Sequence, residues 1–428
     1  MITAVTIIFL LALIFFIVRG KLLPGTVLAV LPIIAALVIG TGFTETLTMA
    51  HEGMLDTATV VCVYIFAATY FSIMSDAGLF DPIIKLLVKS KHFGKTVFSV
   101  VSVAALIAML SHLDGSGVTT LMITVPPMLI VFDKLKIRRT TLGAIFVLVT
   151  GTMNLLPWGG PVTRAATVIN MDLMELYWKI LPVQIIGLVI SFVFLYLISK
   201  KEEKEGVFEP GSVEIAMDVP EAEQKLRRPK LFWFNLIWTL ILLVTLFVGL
   251  PPHLAFLIGN AVALPVNYHQ VREQTKLIKR HAGDVMNNVY TILCAGVMIG
   301  IMEGTGMFTA LANAIVSIIP SSLSTIVPTV MGLFSVPLSF LLNTDGIIYG
   351  IMPIAVNVAA QYGVSAAKVA AMFCVGRVMT GALCMTTASV YLGLGMMGIE
   401  WKDAFKKVAG WAALGGVIMV IAASLLVA

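Results

Sequence analysis

Between Val97 and Phe132 the chain is an almost unbroken apolar run, and in its middle stand Asp114, Gly115, Ser116 and Gly117. Such a run belongs in a bilayer, and crossing one takes about 20 apolar residues. Split at LDGSG, each arm is too short to cross alone. The pattern predicts a re-entrant hairpin that leaves the membrane by the side from which it came. Non-helical backbone at membrane depth is tolerated only where it is buried in protein or lines a wet cavity. A glycine-rich tip with a carboxylate therefore marks a site. A second stretch of this kind, LSFLLNTDGIIYGIMP from Leu338 to Pro353, lies inside the apolar run 323–361 and carries Asn343, Thr344 and Asp345 at its tip.

The rest of the chain agrees with a membrane setting. Hydrophobic residues make up 59% and charged residues 12%, with mean hydropathy +1.00, far from a soluble domain. The net charge of +5 sits in a few loops, where it sets orientation and does not indicate a nucleic-acid partner. Cys62, Cys294, Cys374 and Cys384 fall in apolar spans without paired spacing, which argues against a disulfide framework or a structural zinc site. Ile2 to Val18 lacks a basic leader and a small-residue cleavage site, and reads as a retained span rather than a signal peptide.

Apolar runs fall at 2–18, 22–40, 57–75, 97–132, 140–170 and 177–198, and again at 231–249, 253–267, 284–303, 323–361, 365–397 and 404–427. Short stretches at 79–90 and 307–319 read as interfacial helices. Between the two sets, 200–230 is highly charged and poor in aromatics, the composition of a linker. This divides the chain into a first repeat (1–199), a cytoplasmic linker (200–230) and a second repeat (231–428). SIMSDAGLF at Ser72–Phe80 matches GIMEGTGMF at Gly300–Phe308. An offset of about 228 also sets Pro126 against Pro353 and Asp172 against Glu400, the mark of an internal repeat. Lys and Arg clusters fall on one side if each half has five full spans, and that side is cytoplasmic. The expected fold is all-α integral membrane. It has two inverted repeats, each with a hairpin and a broken helix, and both termini outside a plasma (inner) membrane. Binding sites of such proteins lie near the midplane.

In the first half a long apolar run breaks at NLLPWGGPVTR, Asn154 to Arg164. Pro157 and Pro161 cannot donate within a helix, and Gly159 and Gly160 free the backbone between them. The helix that restarts near Pro161 would aim free N–H groups into the gap. Arg164, one turn in, has the planar fork that binds a carboxylate in bidentate fashion. The matching break in the second half, MTTASVY, offers Thr386, Thr387 and Ser389 as hydroxyl ligands or as groups bonded back to their own helix. Arg377 either binds an anion or neutralises Asp345. Asp114 and Asp345 are intramembrane carboxylates, which must be paired, metal-bound or protonated. Each is a candidate cation ligand or proton carrier, or else a cap on its own turn. His112 is a candidate proton shuttle or simply hydrogen-bonded. Glu303 sits near a span end and reads as interfacial.

At LDGSGVTT (113–120), MNLLPWGGPVTRAA (153–166) and NTDGIIYGIMP (343–353) the chain resembles the citrate-metal/proton symporter family of the ion transporter superfamily. The resemblance implies a homodimer whose protomers each have a scaffold part and a mobile part that moves like an elevator. It places substrate between the hairpin tips and the helix breaks, at positions matching Asp114, Gly115, Ser116, Asn154, Gly159, Gly160, Arg164, Asn343, Thr344 and Asp345. The family pattern reads LDGDG at the first tip, whereas this chain has Ser116 in place of the second acid. A hard dication wants several oxygens, mostly carboxylate, so this departure leaves room for a free carboxylate as cargo, or for a cation bound through backbone and hydroxyl oxygens.

The resulting expectation is a secondary symporter of a small organic anion, citrate or a related di- or tricarboxylate, with or without a divalent metal. It would be coupled to a proton or sodium and would need no cofactor. An anion channel is the alternative. An intramembrane aspartyl enzyme is disfavoured, because no GxGD element is present and each Asp sits on a hairpin tip.

Overall fold

The computed structural model describes residues 2–19, 21–88, 92–205, 208–211, 224–317, 326–385 and 387–427. Among the described residues the secondary structure is helical throughout. The first half comprises α1 (Ile2–Arg19), α2 (Pro24–Val38), α3 (Phe43–Asp56), α4 (Ala58–Asp76), α5 (Asp81–Val88), α6 (Val97–Ser111), α7 (Gly117–Lys134), α8 (Arg139–Met153), α9 (Gly160–Val168) and α10 (Leu173–Lys204). The second comprises α11 (Phe232–Phe247), α12 (Pro252–Asn267), α13 (Val271–Gly304), α14 (Met307–Val316), α15 (Val327–Leu338), α16 (Gly346–Ala360), α17 (Ala366–Gly381), α18 (Ala388–Met397) and α19 (Trp401–Leu426).

Among the described residues, seven helices are long and apolar enough to cross a membrane. Two of them are the arms of the first hairpin. A 3₁₀ turn at His112–Asp114 extends α6, so each arm is 18 residues long. Length therefore does not prevent either arm from crossing, contrary to the expectation from sequence. The arms nonetheless pack on one another. Local signals start the helices: Thr96 and Ser99 form a capping box ahead of α6, and the Asp172 carboxylate accepts from the Met174 and Glu175 amides to begin α10, satisfying N–H groups that have no intrahelical partner.

The helices interleave across the linker. In one group α13 lies along α2, α3 and α4, and α12 lies on α4. In the other, α19 packs on α17 and α10, α15 on α17, α6 on α10, and α18 on α7. Each group draws helices from both halves of the sequence. The approach of α3 to α13 is close because Gly53 faces Gly300: a Cβ on Gly53 would lie 2.7 Å from the Gly300 Cα. Helix α3 is absent from the apolar runs, since its moderate hydrophobicity hides a packed glycine face.

Two features of 200–230 differ from a solvated linker. Helix α10 continues to Lys204, and Glu202 within it is fully buried. Glu202 accepts from the Arg138 amide (2.5 Å) and the Thr141 hydroxyl, and it pairs with Lys407 at 3.5 Å. At the far end Arg228 N–H donates to the Ala77 carbonyl, and Arg227 pairs with Asp81 at 3.1 Å. The ends of the segment are thus fastened to helices; 206–207 and 212–223 lie outside the described residues.

Candidate functional site

The first hairpin tip is shaped by its own backbone. Gly115 takes a left-handed φ of +74°, a conformation that glycine adopts without a Cβ penalty. Ser116 caps α7 by accepting from the Thr119 amide at 3.2 Å. Asp114, 5% exposed, accepts from the Ser116 amide at 2.8 Å, so this carboxylate caps its own turn.

The tip is bound to the first helix break by two side chains. Trp158 donates from Nε1 to the Leu113 carbonyl at 2.7 Å, and its ring stacks on Phe71 of α4 at 4.8 Å. His112, fully buried, contacts the Thr120 hydroxyl through Nδ1 at 2.8 Å and the Asn154 Oδ1 through Nε2 at 3.1 Å. His112 is thereby a bracket between tip and break.

The break itself falls where proline and glycine place it. Helix α8 passes through a π-helical turn at Phe146–Thr150 and ends at Met153, and α9 restarts at Gly160 with Pro161 in its first turn. Gly159 is squeezed against the Leu156 carbonyl, where a Cβ would sit at 2.9 Å. In the second half, a π-helical turn at Gly346–Ile351 follows the tip directly, and the break lies between the end of α17 at Gly381 and the start of α18 at Ala388. π-turns mark functional positions often enough to be noted, and Phe146, Val147 and Thr150 of the first one border the space between tips and breaks.

That space is a cavity of about 370 Å³, within the range of small-molecule sites. It is lined by Gly115 and Ser116 from the first tip, Asn154, Gly160 and Arg164 from the first break, and Thr344 from the second tip. Thr387, Ser389 and Arg377 complete it from the second break. Gly159, Asn343, Asp114 and Asp345 stand outside this lining. Asn343 accepts from the Gly346 amide at 3.0 Å and holds its own turn. Thr386 lies outside the described residues. Glu303 is exposed at the end of α13, away from the cavity.

Asp345 is 8% exposed and lies 2.6 Å from Arg164 Nε. The partner of Asp345 is therefore Arg164, and the expectation that Arg377 neutralises it is corrected. Arg164 also donates through Nη1 to the Gly160 carbonyl (3.0 Å) and through Nη2 to the Asn288 Oδ1 (3.2 Å). Asn288 and its neighbour Asn287, from α13, line the cavity beside Tyr64 and Thr150. None of these four was singled out from sequence. Two adjacent amides near the start of an apolar span were the signal available for the asparagines.

Residues 11–376 match the family model described as citrate transporter. The chain belongs to this family. It is 36% identical to a citrate transporter of Bacillus subtilis over 93% of this chain and 92% of that one. It is likewise 36% identical to a Mg(2+)/citrate complex secondary transporter of the same organism, over 94% and 93% respectively. These relatives are transporters and not enzymes, and family membership together with the apolar helices makes this a multi-pass membrane protein of the same kind. Its fold is similar to that of the Alcanivorax borkumensis YdaH transporter, with TM-score 0.66 and 14% identity over 99% of this chain and 98% of that one. It is also similar to Neisseria gonorrhoeae MtrF, with TM-score 0.56 and 13% identity over 90% and 85%.

Proposed function

We propose that this chain is a secondary active symporter of citrate or a related di- or tricarboxylate, carried free or as a divalent-metal complex, and driven by a proton or sodium ion. One observation carries the reading: a single cavity gathers both hairpin tips and both helix breaks, and lines itself with hydroxyls, amides and guanidinium groups. Such groups donate hydrogen bonds to carboxylate oxygens. The four buried charges beside it, Asp114, Asp345, Arg164 and Arg377, sum to zero. A cargo of low net charge, such as a chelated citrate, is easier to accept there than a bare trianion. The metal in this reading is cargo.

The halves act as inverted repeats, with both termini outside the plasma (inner) membrane as the Lys and Arg clusters argue. Protomers pair as homodimers, and the group of helices around α10, α17 and α19 moves against the group around α4 and α13.

Proteoliposomes test the proposal. External unlabelled citrate, with and without Mg²⁺, should drive exchange of preloaded labelled citrate, as a carrier does. Citrate flux without trans-stimulation would replace the carrier by a channel, and no flux for any di- or tricarboxylate would end the reading.

A further inference from the structure

The cavity holds two guanidinium groups in different circumstances. Each of the three nitrogens of Arg164 already donates within the protein, to Asp345, Gly160 and Asn288, and the Asp345 carboxylate balances its charge. Arg377 is 6% exposed and lines the same cavity, yet its Nε has no hydrogen-bond partner and no carboxylate among the described residues lies within ion-pair distance. An uncompensated buried charge is costly. The C-terminal end of α17, where Arg377 sits, offsets part of that cost through its dipole. Gly381, one turn on, makes room for the guanidinium, since a Cβ there would collide with Nη2.

We infer that Arg377, and not Arg164, receives the substrate carboxylate, while Arg164 and Asp345 form a buried strut joining the first helix break to the second hairpin tip. The inference rests on the carboxylate-transport reading and adds to it a division of labour between the two arginines. The first break, with its WGGPVTR motif, then supplies geometry, and the second supplies the anion contact. Ligand binding gives Arg377 the close counter-charge that the described residues do not provide.

The test is citrate binding to purified full-length protein, with and without Mg²⁺, read as Kd and as the melting-temperature shift that a native-state ligand produces. Arg377→Lys keeps the charge but loses the planar fork, and should weaken citrate about tenfold or more while leaving the unliganded melting temperature unchanged. Arg377→Gln should abolish the citrate-induced shift without lowering the unliganded melting temperature. Arg164→Gln alone should lower that temperature by stranding Asp345, and the Arg164→Gln/Asp345→Asn double variant should recover it and keep citrate Kd within about threefold of wild type. Retained citrate affinity in Arg377→Gln and Arg377→Lys overturns the inference while leaving the transport reading intact. Loss of binding in the double variant overturns the division of labour. A wild-type protein that no carboxylate stabilises, with or without metal, removes the transport reading and this inference with it.

Discussion

Arg164 and Asp345 are 181 positions apart in the chain and 2.6 Å apart in the fold, both buried. Their pairing ties the N-terminal turn of α9 to the tip from which α16 starts. Two charges removed from water are tolerated because each is the other's partner, and removing one leaves the other stranded. Asp345→Asn is therefore expected to destabilise the protein by about 3–5 kcal/mol. Thermal melts in detergent check this, and an unchanged melting temperature would remove the strut.

Glu202 joins three helices from a position that composition assigns to a linker. Its carboxylate accepts from the start of α8 and pairs with Lys407 of α19, where the helix N-terminus favours an anion. Glu202→Ala should cost about 2–4 kcal/mol, since it strands a buried amide, a hydroxyl and an ammonium. Glu202→Gln should cost less, because one acceptor oxygen remains. Denaturation midpoints that rank the two variants in the opposite order would contradict this account.

Trp158 acts by position. Its Nε1–H holds the Leu113 carbonyl while its ring packs between Phe71 and Phe256. Trp158→Phe keeps the ring contacts and leaves that carbonyl without its donor, at a cost of about 1–3 kcal/mol. The expected result is a looser first tip, with faster amide exchange at 112–116 than at 343–346. Equal exchange at both tips would argue that the indole donor is dispensable.

Asp114 caps its own turn through Oδ1, and Asn keeps an acceptor oxygen there. Asp114→Asn should hold the unliganded melting temperature, whereas Asp114→Ala should lower stability by about 0.5–2 kcal/mol. Binding titrations with Mg²⁺-citrate and with citrate alone then separate capping from cation binding. If only the cap matters, Asn leaves both affinities unchanged, and selective loss of the Mg²⁺-dependent component would make Asp114 a metal contact.

The hairpin tips and both helix breaks were legible in the amino-acid order because their causes are local. Glycine, proline and single carboxylates interrupt apolar runs that otherwise have every reason to stay helical, and each interruption lies where the structure has a turn. Only Thr386 of the second break falls outside the described residues. Arm length was misjudged at the first tip, where a 3₁₀ turn carries α6 on to Asp114. Helix α3 was missed because its packing depends on Gly53 meeting Gly300 of a distant helix.

What the sequence alone determined is that the chain is a helical membrane protein with two interrupted sites, since apolar length and backbone hydrogen bonding leave few other outcomes. What only the tertiary structure decided is which charges meet. Both arginines have the same reach and the same charge, and nothing local distinguishes them. Helix packing across the two halves brings Asp345 and Asn288 to Arg164, and leaves Arg377 facing the cavity with no carboxylate among the described residues within ion-pair distance.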